Sequence, residues 1–318
     1  MNLLIHHWDT DGICSAALLV ESLKDEEFEN ISLFPGIFEF DGRIRGHIAE
    51  AERIYIVDVN MVDEAEVIVK PLYFFDHHIQ RRIENENATH VNPLLEGKPA
   101  PSASYVVSDY FNHWGWQSAI GAVGDLGRGA FQFDWVRKLL DRHGLSENQA
   151  LHLARLINSP SMVCDLDGVE GAVERITHSD PLELLNDDEW TNNLDLLESE
   201  IAEIVERAED KGDFVYARYS SRYNVTSIVA RRLVWDLKFP IAIVVNEDYN
   251  GHAQIYIRVD KALADRLGIA DLIRRLKSLG FNAGGKSDVL GIICAKTRLD
   301  EALSIVGDHF GWLLWWKE

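Results

Sequence analysis

Short apolar runs separated by stretches of helical period organise the first 130 residues. Leu3-Leu4-Ile5, Ile54-Tyr55-Ile56-Val57 and Leu72-Tyr73-Phe74-Phe75 are unbroken apolar runs, as expected of strands buried on both faces. Ile13, Ala16, Ala17, Val20 and Leu23 recur at helical spacing and predict a helix over 13–24, joined to the first strand by a tight turn at Gly12. Further strands are predicted over 32–40, 54–59 and 71–75, and helices over 48–53 and 62–69. Alternating strands and helices predict an open, mainly parallel sheet of a five-stranded type flanked by helices.

Residues 84–101 are rich in Asn, Gly and Pro and read as a loop. Ser102 is placed to cap a helix through Ser104, Val107 and Phe111. Ala119 to Gly124 is small and apolar and leads to Asp125; its periodicity does not separate helix from strand. Residues 130–185 read as several helices, with loops at Gly144-Leu145-Ser146 and Asn158-Ser159-Pro160. Trp190, Leu194, Leu197, Ile201, Ile204, Val205 and Ala208 form an apolar stripe on a long helix whose other face is acidic.

Beyond Lys211-Gly212-Asp213 the pattern changes. Strands are predicted at 214–219, 241–245, 253–259 and 289–295, and helices at 224–237, 269–279 and 299–308. This is a smaller mixed α/β domain. The expected organisation is a domain over 1–186, a connecting helix over 187–212 and a second domain over 213–318. The aromatic tail Trp312-Leu313-Leu314-Trp315-Trp316 is expected to pack onto the core, with a partner-docking patch as the alternative.

Composition narrows the class without fixing it. The chain has 318 residues and a formal net charge of −21. From residue 213 onward there are 15 Lys+Arg against 12 Asp+Glu, so the acidic excess lies in the first two thirds. A uniformly acidic surface would argue against nucleic acid, which needs clustered cations; the uneven distribution removes that objection. No apolar run approaches the ~18 residues that span a bilayer, so no membrane partner is expected. The start Met1-Asn2-Leu3 has no basic region before its apolar residues, which argues against a secretory signal. Cys14, Cys164 and Cys294 are far apart and form no Cys-x-x-Cys pair. That pattern points to a reducing, cytoplasmic setting and away from a thiolate zinc site.

The chemistry collects at strand ends. His6-His7-Trp8-Asp9-Thr10-Asp11-Gly12 follows the first apolar run, Asp58 follows the second, and Asp76-His77-His78 follows the third. In a parallel sheet these ends lie side by side, where ligands bind. Carboxylate and imidazole donors suit manganese, magnesium or zinc. If the first stretch were extended, His7, Asp9 and Asp11 would face one way, and a cation would relieve their repulsion.

In order and spacing, His7-x-Asp9-x-Asp11-Gly12, Asp58, Asp76-His77-His78 and Gly124-Asp125 resemble the four motifs of the DHH phosphoesterases. The likeness is to the branch of archaeal-type RecJ-like exonucleases and nanoRNases, with a DHHA1-type second domain. It implies two Mn²⁺ ions, with Mg²⁺ as the alternative. Asp11, Asp58, His77 and Asp125 would hold one ion, and His7 (or His6), Asp9 and Asp58 the other. His78 would contact substrate phosphate, and Asp76 would orient the histidines. One ligand spacing departs from the family: a single residue separates His7 from Asp9.

In the second domain, Asn282-Ala283-Gly284-Gly285-Lys286-Ser287-Asp288-Val289-Leu290-Gly291 resembles the family's glycine-rich substrate loop, with Lys286 where a histidine is usual. The resemblance makes Gly284, Gly285, Lys286 and Arg258 substrate contacts, with Arg222, Asn224 and Ser104 as further candidates. Two ions side by side would activate water for in-line attack on phosphorus. The expected activity is a RecJ-like exonuclease on single-stranded DNA or RNA, with a DNA-repair role and a replication or repair protein such as a helicase as candidate partner. The alternatives are a small-nucleotide phosphodiesterase, acting on short oligonucleotides, cyclic dinucleotides or 3′-phosphoadenosine 5′-phosphate, and a Cdc45-like scaffold without catalysis. No Arg-Lys-Lys run of the kind found in family II pyrophosphatases occurs in the second half.

Overall fold

The computed structural model describes residues 1–311, apart from the side chain of Asp265. The chain divides into two compact units, Met1–Leu194 and Asp195–Glu318. The aromatic tail beyond Gly311, and its expected packing, lie outside the described residues.

Unit one is built on five parallel strands: β1 (Asn2–His6), β2 (Phe28–Ser32), β3 (Arg53–Val57), β4 (Leu72–Phe75) and β5 (Ala88–Val91), in the order β2-β1-β3-β4-β5. Parallel pairing needs crossovers, and helices supply three of them: α1 (Thr10–Ser22), α2 (Gly42–Glu50) and α3 (Val62–Glu66). Leu3, Leu4, Ile5, Ile54, Ile56 and Phe74 are all fully buried, which explains their unbroken apolar runs. Each contributes about 1.5–3 kcal/mol by leaving water. The carboxyl ends of β1, β3 and β4 are aligned by register: His6 pairs with Val57, and Val57 with Phe75.

Helices complete the unit: α4 (Ala103–Phe111), α5 (Trp116–Leu126), α6 (Asp134–Arg142), α7 (Glu147–Met162), α8 (Leu166–His178), α9 (Pro181–Leu184) and α10 (Asp188–Glu206), the last continuing into unit two. The run 119–124 is helical. Several expected boundaries move. The second strand is Phe28–Ser32, because the following Phe34-Pro35-Gly36 leaves the sheet at a proline, which has no N–H to give the ladder. The second helix starts at Gly42, where Asp41 caps it by accepting from the Ile44 N–H at 2.9 Å. The expected loop over 84–101 contains β5, which pairs with β4 at the sheet edge. The expected loop at Asn158-Ser159-Pro160 is instead the last turn and a half of α7.

The elements of unit two are β6 (Glu209–Asp210), β7 (Val215–Tyr219), α11 (Thr226–Arg231), β8 (Ile241–Tyr249), β9 (His252–Val259), α12 (Lys261–Leu267), α13 (Ile269–Ser278), β10 (Asn282–Lys286), β11 (Val289–Ala295) and α14 (Leu299–Phe310). The strands form a six-stranded mixed sheet in the order β10-β11-β9-β8-β7-β6. Only β7 and β8 pair in parallel. Its core joins Ile243, Val245, Ile255 and Ile257 to Leu272, Leu276, Leu303 and Val306. The segment resembling a glycine-rich loop is strand β10, paired with β11 through a tight hairpin at Ser287-Asp288. No helix among the described residues is long and apolar enough to cross a membrane.

Candidate metal centre

The first stretch is not extended throughout. β1 ends at His6, Asp9 is the N-cap of α1, and Asp11 lies in that helix's first turn. The carboxylate of Asp9 accepts from the Gly12 N–H at 3.0 Å. The strand-to-helix corner therefore brings Asp9 and Asp11 to one place. Gly12 is needed there: a Cβ would collide with the His7 carbonyl and lie 2.6 Å from the His7 Cβ. Thr10 pins the corner by donating to the Ala154 carbonyl of α7 at 2.7 Å.

Asp58 follows β3 with φ of 61°, a left-handed conformation in which most side chains are strained. Its N–H donates to the Phe75 carbonyl at 2.9 Å, tying it to the end of β4. One carboxylate oxygen of Asp58 lies 3.7 Å from His7 Nδ1, and the other lies 3.3 Å from His77 Nε2. His7 Nδ1 is also 2.9 Å from Asp9, and His77 Nε2 is 3.1 Å from Asp125 and 3.9 Å from Asp11.

Donor atoms of His7, Asp9 and Asp58 fall within 4.8 Å of one another, and so do those of Asp11, His77 and Asp125. Asp58, Asp76, His77 and His78 form a third such group. Asp58 thus lies between the two sets that the motif resemblance assigns to two ions. His6 is elsewhere: it is fully buried, its Nδ1 meets the His7 carbonyl at 2.7 Å, and burial pushes its pKa down to about 4.

The electrostatics call for a cation. Burial raises the Asp58 carboxyl well above its usual range, and the charges of Asp11, Asp9, Asp125 and Asp76 push the same way. Burial also raises Asp11. Burial works upward on Asp9 too, but the His7 imidazole outweighs it and holds that carboxyl below the usual range. His7 Nδ1, His77 Nε2 and Asp58 Oδ1 are buried and lack a well-aligned hydrogen bond, crowding instead against one another and against the carboxylates of Asp9 and Asp125. Leaving such groups unsatisfied is costly. Oxygen and imidazole donors without sulfur fit hard or borderline divalent ions, so the residues present fit divalent metal.

Supporting groups hold this set in place. Asp11 accepts from the Ala103 N–H at 2.6 Å and the Ser104 N–H at 3.1 Å, so the positive end of α4 faces its charge. Ser102 caps α4 by accepting from the Tyr105 N–H at 3.1 Å. Asp76 Oδ1 accepts from the N–H groups of His77 and His78 and from His78 Nδ1 at 2.7 Å. Asp76 therefore fixes the ring of His78 and only the backbone of His77. Burial would raise the Asp76 carboxyl, but His78 outweighs it and holds it low; in return Asp76 raises the pKa of His78. The His78 side chain is 44% exposed, which leaves its far edge to solvent.

Gly121 and Asn92 are positioning residues that no motif marks. Gly121 and the motif residue Gly124, both in α5, allow close approach: a Cβ on Gly121 would lie 2.5 Å from Asp11 Oδ1, and one on Gly124 would lie 2.7 Å from Thr10 Cβ. Their signal was the Gly-x-x-Gly spacing before Asp125. Asn92 donates to the His78 carbonyl at 2.9 Å, and it lies in a segment read as loop. Ser104, expected to touch substrate, is fully buried, with its hydroxyl donating to the Ser118 carbonyl at 3.2 Å; its backbone positions Asp11 instead.

The second-domain candidates lie in unit two. Lys286 pairs with Val289, and Val289 with Arg258, so the two cations share a register line across the sheet. Arg258 is buried, with its guanidinium 4.7 Å from the Trp235 ring centroid, 3.2 Å from Tyr256 Oη and 3.6 Å from Asp288. Gly285 has φ of 153°, and a Cβ there would collide with the Val289 carbonyl; at Gly284 the space is open. Arg222 is exposed beside the Tyr223 ring, and Asn224 is in the turn before α11.

No protein-family model and no curated protein sequence matches the chain. Solved structures do. A DHH domain described as a member of the s1p family of ribosomal proteins matches with a TM-score of 0.75 at 15% identity, over 97% of this chain and 86% of that one. Exonuclease RecJ bound to manganese matches with a TM-score of 0.69 at 14% identity, over 98% and 90%. Cdc45 from Entamoeba histolytica matches with a TM-score of 0.59 at 10% identity, over 98% and 95%. The chain has the α/β fold of the DHH/DHHA1 proteins.

Proposed function

We propose that this chain, with its DHH/DHHA1 fold, is a phosphodiester hydrolase dependent on two divalent ions, acting as an exonuclease on single-stranded nucleic acid. The observation that carries the reading is the convergence of His7, Asp9, Asp11, Asp58, His77 and Asp125 in two groupings with Asp58 between them. Imidazole nitrogens of His7 and His77 turned into a buried carboxylate cluster favour a cation-binding hydrolase over a scaffold without catalysis. The likeness to RecJ bound to manganese supports Mn²⁺ as the ion.

His7, Asp9 and Asp58 would hold one ion, and Asp11, Asp58, His77 and Asp125 the other. Bound there, such ions lower the pKa of water and stabilise charge building on attacking and leaving oxygens. The chain's own groups do the rest. Asp76 holds His78 by its Nδ1, so the exposed edge of that ring is free to donate to a substrate phosphate. The amides of Ala103 and Ser104 keep Asp11 in a single orientation. In unit two, the exposed Lys286, on one register line with the buried Arg258, would offer a cation to phosphate, with Gly284 and Gly285 beside it and Arg258, Arg222 and Asn224 as further candidate contacts.

The test incubates end-labelled single strands of ~5 and ~30 nucleotides, below and beyond one binding site, with protein and Mn²⁺. Parallel reactions contain 3′-phosphoadenosine 5′-phosphate and a cyclic dinucleotide. Stepwise shortening of the longer strand is expected; turnover of the small compounds alone overturns the exonuclease assignment. Asp11→Ala is expected to abolish whichever activity is found, and full activity in that variant would mean the centre is misassigned.

A further inference from the structure

Beside the metal centre lies an aromatic stack that the reading above does not use. Trp8 is buried, and its ring centroid is 4.0 Å from that of His7. Phe38 lies 5.0 Å from Trp8 and 5.9 Å from His7, with only 25° between the Phe38 and His7 planes. Phe38 itself is 53% exposed. It is presented by the segment between β2 and α2, where the Ile37 N–H donates to the Phe34 carbonyl at 2.9 Å and Asp41 begins α2. Trp8 and His7 thus back one side of the ring, while the rest faces solvent.

An isolated exposed aromatic needs no explanation. This one rests on an imidazole that is 2.9 Å from Asp9 and 3.7 Å from Asp58. An open π-face therefore borders the place where a phosphate would sit. Inorganic polyphosphate offers nothing to stack on such a face. A nucleotide carries a phosphate and, one sugar away, a planar base that stacks on aromatic rings regardless of sequence.

We infer that Phe38 is a specificity-determining residue: it stacks on the base of the nucleotide whose phosphate occupies the carboxylate–imidazole cluster. The substrates are then nucleotide-bearing phosphoesters, not inorganic phosphate chains. This rests on the phosphoesterase reading, which assigns a phosphate to the cluster. Phe38 is no metal ligand, and its backing by Trp8 and His7 keeps the ring in one orientation, which lowers the entropy lost on stacking.

Two pentanucleotides, labelled with 2-aminopurine at the 5′ or the 3′ end, provide the test in Ca²⁺. Wild-type protein is expected to quench the fluorescence of one probe. Phe38→Ala should lose that quenching and bind the probe about 5- to 150-fold more weakly, the equivalent of losing about 1–3 kcal/mol of base stacking, while Phe38→Trp retains both. Competition by inorganic tripolyphosphate should not distinguish wild type from Phe38→Ala. Equal quenching by wild type and Phe38→Ala, no quenching by wild type, or equal weakening toward probe and tripolyphosphate overturns the inference. Phe38-dependent quenching without hydrolysis of any phosphoester in Mn²⁺ instead supports base stacking and strikes at the hydrolase reading alone.

Discussion

Asp58 turns one carboxylate oxygen toward His7 and the other toward His77, from a backbone conformation with φ of 61°. Four other carboxylates raise its pKa further beyond what burial alone does. If Asp58 holds metal as proposed, function and stability are opposed at this position. Asp58→Asn is expected to lower activity by at least about 100-fold, beyond the loss seen for residues that merely orient ligands. In EDTA the same variant should melt at a higher temperature than wild type, because an amide removes a buried like charge. Steady-state hydrolysis assays check the first half and scanning calorimetry the second; with Mn²⁺ present the variant should also lose most of the metal-induced gain. At Asp76, which holds His78, Asp76→Asn should reduce kcat/KM by about 10- to 100-fold. His78 remains chemically intact there, so steady-state kinetics and a metal titration separate misorientation from loss of a ligand.

Among the elements, α5 packs closely at two glycines. Gly121 and Gly124 let it approach α4 and α1, where Ser104, Asp11 and Thr10 leave no room for a Cβ. Gly121→Ala is expected to destabilise unit one by about 1–3 kcal/mol, the range for overfilling a packed site, despite the better helix propensity of alanine. Urea denaturation measures that loss, and weaker Mn²⁺ binding should accompany it because Asp11 is displaced. In sequence, the small apolar run 119–124 was ambiguous between helix and strand; the helix at 116–126 places Asp125 beside His77. β5 was invisible because Ala88-Thr89-His90-Val91 is an edge strand with too few apolar residues to break the polar loop signature around it. Pro160 misled in the opposite direction. It was read as a loop, yet it lies buried in the last turn of α7.

For the whole molecule, a divalent ion held by the acidic centre would couple folding to metal binding. With free Mn²⁺ at about 100 times its dissociation constant, a single site adds about 2.7 kcal/mol to stability. The melting temperature should therefore rise with Mn²⁺ and return to its starting value with EDTA. A melting curve insensitive to both would mean that the cluster holds no ion. The charge distribution, acidic through residue 212 and slightly basic after it, adds to this expectation: a cation introduced into the acidic part relieves repulsion.

The sequence by itself determined the alternating strand and helix pattern of unit one, the smaller mixed sheet of unit two and the motif residues of the centre. Apolar periodicity and residue type are local properties, and His7, Asp9, Asp11, Asp58, His77 and Asp125 are chemically conspicuous wherever they fall. Tertiary structure decided which donors meet. Only the parallel register of β1, β3 and β4 aligns their ends, and only the helical corner at Asp9 brings Asp11 to His77. It also turns His6 to the His7 carbonyl and places His7 beside Asp9 and Asp58, although the two are adjacent in sequence. Asn92 and the aromatic face of Phe38 were silent in sequence because their roles depend on neighbours distant along the chain, and only packing supplies those neighbours.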